Sequence, residues 1–271
     1  LVLVCGSLVH IYYIPMIMIF MIFSCVQDLL ENNGWAWDLL MGIIAIGTDL
    51  LVLYGVGAFS AAASMEDGGL GAYSTNLNAF INPLGKGDFL KSLPYNPGQD
   101  EGYGYLGLGI LILLTVAIIL MIFCLVCRVV KKKRMQIGGN KIYSQKIKKT
   151  DDSKSSNVFL AYIDRHSFAI SMILAWLAAF ILALSPVITW NETTVLEISY
   201  PEFIIKLLSI FRSTGRFIWC ACYILMFFAI TAVIRRIRWF VVSVVALIMT
   251  AGIQVADLDR YAMDRGNQVS N

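Results

Sequence analysis

Apolar stretches alternate with short polar breaks along this chain, at about residues 14–30, 36–58, 105–130, 159–184, 216–234 and 239–256. A helix needs roughly 20 apolar residues to cross a bilayer, and these runs approach or exceed that length. The breaks carry interface chemistry. His10-Ile-Tyr-Tyr-Ile-Pro15 sets two tyrosines before a proline, which disfavours helix in the preceding residue. Glu31-Asn-Asn-Gly34 reads as a tight turn, with Trp35 and Trp37 at the next boundary. The apolar residues 1–9 read as the tail of a helix that starts upstream, because the chain opens Leu-Val-Leu-Val without a methionine.

Two segments depart from the apolar pattern without looking like solvated linkers. Gly68–Gly109 contains ten glycines and three prolines, yet keeps Tyr73, Phe80, Phe89, Tyr95, Tyr103 and Tyr105. Disordered linkers are poor in aromatics, so this stretch is expected to fold back, ordered, on the membrane domain and bury its rings. Further on, Phe203, Ile204, Leu207, Leu208 and Phe211 fall on one helical face, and Glu202, Lys206, Ser209 and Arg212 on the other. That spacing predicts an interfacial amphipathic helix of about three turns, opened by the capping pattern Ser199-Tyr-Pro-Glu202. The expected fold is therefore all-α: a polytopic helical membrane protein of about six transmembrane helices, a short interfacial helix and a long ordered outer loop. Residues 1–271 form a single transmembrane domain in this reading.

Composition agrees. The chain has 271 residues, 58% hydrophobic and 14% charged, with mean hydropathy +0.73, whereas soluble domains carry about 25% charge. The net charge of +3 matters less than its placement. Arg128, Lys131, Lys132, Lys133, Arg134, Lys141, Lys146, Lys148, Lys149 and Lys154 crowd one loop, and Arg235, Arg236 and Arg238 another. Alternating helices put both clusters on one side. The positive-inside rule then makes 128–158 a cytoplasmic loop, and 60–103 and 187–215 outer loops. The basic run abuts a membrane helix and holds one aromatic, Tyr143, which favours a topogenic role or headgroup contact over nucleic acid as the partner. All six cysteines lie in apolar segments, and Cys124-Leu-Val-Cys127 has no second pair or histidine beside it, so no disulfide or metal site is implied.

Candidate chemistry gathers at the outer surface. Arg212 and Arg216 bracket Ser213-Thr214-Gly215 at a helix start, where guanidiniums, hydroxyls and free N–H groups suit a phosphate. The alternative is that both arginines snorkel to headgroups. Asp49 lies about 20 Å up its helix, and an intramembrane acid reads either as functional or as a structural hydrogen bond. His10 reaches a similar outer level, and Tyr73, Asn76 and Glu101 add polar groups from the long loop. The other loop acids, Glu66, Asp67, Asp88 and Asp100, are not singled out by their spacing. The chain contains no phosphate-binding glycine loop, no HExxH and no GxSxG.

The runs GLGAYSTNLNAFINPLG (Gly69–Gly85), GQDEGYGYLGLG (Gly98–Gly109) and FRSTGRFIW (Phe211–Trp219), with Gln254-Val-Ala-Asp257, resemble the later half of a family of bacterial multi-pass membrane proteins related to the GT-C glycosyltransferases. His10-Ile-Tyr-Tyr suits that family's preceding helix. The resemblance implies a fragment of a glycosyltransferase in the bacterial cytoplasmic (inner) membrane. Its donor would be a polyprenyl-phosphate-linked sugar, and its acceptor a periplasmic or cell-surface glycan or protein. Such enzymes place a catalytic acid in their first outer loop, here upstream of Leu1. Arg212, Ser213, Thr214 and Arg216 would hold the donor phosphate. A divalent metal is compatible with this chemistry, but no ligands for one are identified. Rival readings are a lipid-sugar transporter or flippase, and a non-catalytic membrane subunit.

Overall fold

The computed structural model describes residues 2–57, 70–138, 154–209, 211, 213–237 and 239–270. Helix α1 (Val2–Val9) is followed by α2 (Tyr13–Leu30), α3 (Trp35–Gly55), α4 (Leu108–Gly138) and α5 (Lys154–Leu184). A hairpin of β1 (Val187–Trp190) and β2 (Thr193–Glu197) leads to α6 (Glu202–Ser209), α7 (Ile218–Arg236) and α8 (Phe240–Ser270). Six of these helices are long and apolar enough to cross a membrane. The protein is an all-α, multi-pass helical membrane protein.

Small residues set how closely the helices pack. In α5, Ala175, Ala179 and Ala183 are fully buried at i, i+4, i+8, a smooth stripe that seats both α2 and α7. Lipid tails are as apolar as leucine, so close backbone approach, rather than escape from water, holds such helices together. Met16 and Ile19 of α2, and Ile218, Ala221 and Ile224 of α7, complete this cluster. A second one joins Leu113 and Ala117 of α4 to Ala229 and Val233 of α7. Helix α3 lies at the periphery, against α1 and α2.

The chain has two polar ends. At the loop end, residues 70–107 form an ordered layer over the helix ends, without long regular structure apart from a 3-10 turn at Gln99–Gly102. The loop end also collects the hairpin, α6, and a 3-10 turn at Thr214–Phe217 that leads into α7. The basic end holds the last turns of α4, with Arg128 and Lys131, and of α7, with Arg235 and Arg236.

Four expectations need correction. Both ends of the basic stretch 128–158 are helix rather than loop, because α4 runs on to Gly138 and α5 begins at Lys154; residues 139–153 lie outside the described residues. The interfacial helix spans eight residues, about two turns, with Phe203 and Ile205 exposed and Leu208 buried. Segment 187–215 contains an antiparallel hairpin in addition to that helix. The long loop is ordered and packed from residue 70 on, but not every ring is covered: Phe80 stacks on Trp176 and packs at a tilt against Phe180, and Tyr105 is buried, whereas Phe89 and Tyr95 are exposed.

Candidate functional site

The loop end is built on side-chain amides. Asn76 donates to Gln99 Oε1 (2.9 Å) and to the Asn191 carbonyl (2.6 Å), and accepts from the N–H groups of Asn78 and Asn191. Asn78 donates to Asn191 Oδ1 and the Pro94 carbonyl, and Asn82 to Asn78 Oδ1 and the Leu93 carbonyl. Gln99 donates to Ser74 Oγ (3.2 Å) and Thr189 Oγ1 (2.7 Å). A side-chain amide has two N–H donors, and in all four residues both are engaged internally. Amides clustered beside Tyr95 would suit a sugar, but these are saturated. They form a scaffold that fastens the hairpin turn, with Asn191 at φ +55°, onto the loop.

A second fastening comes from α8. Asp257, fully buried, accepts from the Tyr105 hydroxyl (2.6 Å), the Leu108 N–H (2.8 Å) and the Phe89 N–H (3.2 Å). Its own carbonyl accepts from the Asp88 N–H. One turn earlier, Gln254 donates to the Leu106 carbonyl and accepts from the Ile110 N–H. Together they supply partners for backbone groups where α4 begins, which a bilayer could not supply. Burial first, and then the neighbouring Asp257 carboxylate, pushes the Tyr105 phenol above its ordinary range.

Between these fastenings lies the charged centre. The backbones of the two 3-10 turns touch at Gly102 and Gly215, where an added side-chain carbon on Gly215 would lie 2.8 Å from Gly102 Cα and from the Tyr73 carbonyl oxygen. The contact is locked by Gly215 N–H to the Tyr73 carbonyl (2.9 Å) and by the Thr75 hydroxyl to the Gly215 carbonyl (2.9 Å). Each glycine is next in sequence to a charged residue, and the charges meet: Arg216 Nη2 lies 2.8 Å from Glu101 Oε2. Arg216 Nη1 lies 3.0 Å from His10 Nε2, and the guanidinium sits 5.0 Å from the centre of the Tyr12 ring. Guanidinium nitrogens only donate, so His10 Nε2 must accept and the ring proton belongs on Nδ1. The longer 3.4 Å approach of the Tyr12 N–H to Nδ1 is then at most a contact. Burial, and secondarily Arg216, hold His10 below the usual imidazole range, which favours this neutral form.

The sequence candidates divide on this geometry. His10, Glu101 and Arg216 converge, with side chains of the ion pair 28% and 20% exposed for Arg216 and Glu101 respectively. Tyr73 contributes its carbonyl, which accepts from Gly215 N–H and from the Ser213 hydroxyl. Ser213 is fully buried, and its N–H donates to the Tyr12 hydroxyl (2.6 Å). Thr214 is fully buried too, and its hydroxyl has no partner among the described residues. Arg212 lies outside the described residues, as do Glu66 and Asp67. Asn76 belongs to the amide scaffold. Asp49 is buried and accepts from Ser7 (2.5 Å), about one turn of α1 before His10. Among the described residues no group of three or more His, Cys, Asp or Glu is arranged to hold a metal ion.

Sequence reasoning did not find the Asp257 fastening or the amide scaffold. The available signal was the density of Asn and Gln in a loop between greasy helices, where every buried amide needs partners.

No curated protein and no solved structure matches the chain. Residues 1–259 match the family described as a domain of unknown function, DUF6311. That match takes in α1, all six membrane helices and the whole loop end, and so the chain belongs to the DUF6311 family.

Proposed function

We propose that the protein is a GT-C-like membrane glycosyltransferase, or the later part of one, that uses a polyprenyl-phosphate-linked sugar at the outer face of the bacterial cytoplasmic membrane. The observation that carries the reading is the state of Arg216. Its guanidinium has five N–H donors, and its hydrogen bonds among the described residues use two of them. It is fixed in place, partly exposed, at the end of the bundle where a membrane helix begins. A lipid phosphate at that level could take the remaining N–H groups as a charge-assisted fork. The fold adds support: the described residues of the four runs that carry the family resemblance, 70–85, 98–109, 211 with 213–219, and 254–257, meet at the loop end.

In this reading the acceptor hydroxyl attacks the anomeric carbon, and the bond from that carbon to the phosphate oxygen breaks with its electron pair on the phosphate. Arg216 stabilises the charge that develops there. The acceptor is a periplasmic or cell-surface glycan or protein. The test is polyprenyl-phosphate binding to purified protein in nanodiscs. Arg216→Ala is expected to weaken binding by on the order of tenfold to a hundredfold, the loss of one charge-assisted hydrogen bond or slightly more. Arg216→Lys, which keeps charge without the fork, should fall between. Equal affinity in all three proteins would leave Arg216 as a structural ion-pair partner.

A further inference from the structure

The Arg216 site already holds an anion, and that anion is part of the chain. Glu101 stands where an external phosphate oxygen would, 2.8 Å from Nη2. The turn that carries it is short: Gln99–Gly102 spans four residues, preceded by Gly98 at φ +88°. Both turns are pinned where Gly102 and Gly215 meet, so the group free to move in an exchange is the Glu101 side chain rather than its backbone. The Arg216 turn is nailed by the Gly215–Gly102 contact, the Tyr73 carbonyl and the Thr75 hydroxyl, and the second N–H donor of Arg216 is held by His10. One N–H of Nη1 is thus committed to the neutral imidazole, and one of Nη2 faces a carboxylate.

We propose that Glu101 is an internal counter-ion for Arg216 which a lipid-borne phosphate replaces on binding. This rests on the phosphate-site reading above. The ligand class is a phosphate ester anion at the membrane surface. Two charges compete for one guanidinium edge, and like charges side by side repel. The arriving phosphate therefore displaces the Glu101 side chain, while His10 and the glycine contact keep Arg216 in place. The exchange has a chemical consequence. A carboxylate released beside a bound donor phosphate is set near the anomeric carbon, where it can take the proton of the acceptor hydroxyl as that oxygen bonds to the sugar. The empty site keeps that base occupied.

The competition predicts opposite signs for its two partners. A site whose open form is populated about one part in ten binds about tenfold more weakly than the open form itself. Glu101→Gln keeps the size and an acceptor oxygen but removes the charge, so it should bind polyprenyl phosphate roughly tenfold more tightly than wild type. Glu101→Asp, which keeps the charge and shortens the reach by one methylene, should also bind more tightly and serves if the first variant folds poorly. Arg216→Ala should bind far more weakly. Binding is measured by titrating polyprenyl phosphate into full-length protein in phosphatidylcholine nanodiscs, with phosphatidylglycerol nanodiscs and inorganic phosphate as parallel arms. Tighter binding by both Glu101 variants supports the exchange. Unchanged or weaker binding by them, with Arg216→Ala still defective, overturns the exchange and leaves the phosphate site standing. Wild-type affinity in Arg216→Ala overturns the site itself. Complete competition by phosphatidylglycerol or inorganic phosphate would assign the edge to bulk headgroups or free phosphate, against a lipid-linked donor.

Discussion

Gly102 and Gly215 meet backbone to backbone, and this places Glu101 against Arg216. The residues are separated by more than a hundred positions in sequence, yet a single β-carbon on Gly215 would hold the two turns apart, 2.8 Å from Gly102 Cα; one on Gly102 would fall 2.6 Å from the Thr75 hydroxyl oxygen, which itself bonds the Gly215 carbonyl. The atoms in the way are backbone or a hydroxyl bonded to it, with little freedom to yield. Arg216 and Glu101 therefore pair because their neighbours lack side chains.

Gly215→Ala should accordingly act on both stability and site. Forcing a methyl into a filled contact costs about 1–3 kcal/mol, and the turns would separate to accommodate it. We expect a lower thermal unfolding midpoint in detergent, together with polyprenyl-phosphate affinity reduced toward that of Arg216→Ala. A wild-type midpoint would show that the contact is looser than described.

His10 gives a pH dependence of definite sign. Its folded-state value is depressed by burial and then by Arg216, relative to about 6.5 in the unfolded chain. The unfolded state therefore binds the proton first, so the stabilisation is present above about pH 6.5 and is lost as pH falls through the folded value. Thermal midpoints measured between pH 8 and 5 should fall on the acid side. His10→Gln, which cannot titrate, should flatten part of that slope.

Tyr105 predicts the alkaline limb. Its phenol is raised above the ordinary value of 10.0, mainly by burial and then by Asp257. The unfolded state loses its proton first as pH rises, so stability should decline above about pH 10. Asp257→Asn removes a charge and disturbs three donors, and should cost about 1–3 kcal/mol for each donor left unsatisfied. Absorbance titration of the phenolate, with Tyr105→Phe as reference, should show Tyr105 moving down in Asp257→Asn but staying raised, because burial remains.

Asn76→Ala tests whether the amide lattice is scaffold or binding surface. It strands the Asn78 N–H and the Asn191 N–H and carbonyl that Asn76 now satisfies, so the hairpin should loosen. Limited proteolysis should cut between Val187 and Glu197 faster than in wild type. Polyprenyl-phosphate binding should fall only with the loss of folded protein.

Membrane orientation is tested with single cysteines in a background where the six natural ones are replaced. Val195, exposed on β2, should be labelled by an impermeant maleimide from outside the cell after Val195→Cys. Lys131→Cys, near the end of the α4 span, should be protected until the membrane is opened. The reverse pattern would invert the arrangement.

The spans were legible because hydrocarbon is an unforgiving solvent: a run such as 105–130 has few other places to go. The ordered loop was legible from Phe80 and Tyr105, rings too costly to leave in water. The hairpin was missed, although Val187-Ile-Thr-Trp and Thr-Thr-Val-Leu flank Asn191 and Glu192 with β-branched and aromatic residues, because its register depends on the partner loop. His10, Glu101 and Arg216 were each noticed alone. Nothing local joins them, since the contact that does so is between two glycines, and glycine leaves no chemical trace of what it touches. Asp257 stood in a recognisable run, but its three donors come from segments some 150 positions away.

The separations in this end layer also dictate a sequence of events during synthesis. Tyr105 waits for Asp257, 152 positions later, and His10 waits for Arg216, 206 positions later. Helices enter a membrane roughly in the order they are made, so α2 to α7 can be embedded while the segment before α4 still lacks its last partner. The cap over the bundle closes only when α8 delivers its carboxylate. Until then the amide-rich loop lacks the carboxylate that holds Tyr105, Leu108 and Phe89, and a truncated or stalled chain would present it as an unfinished surface.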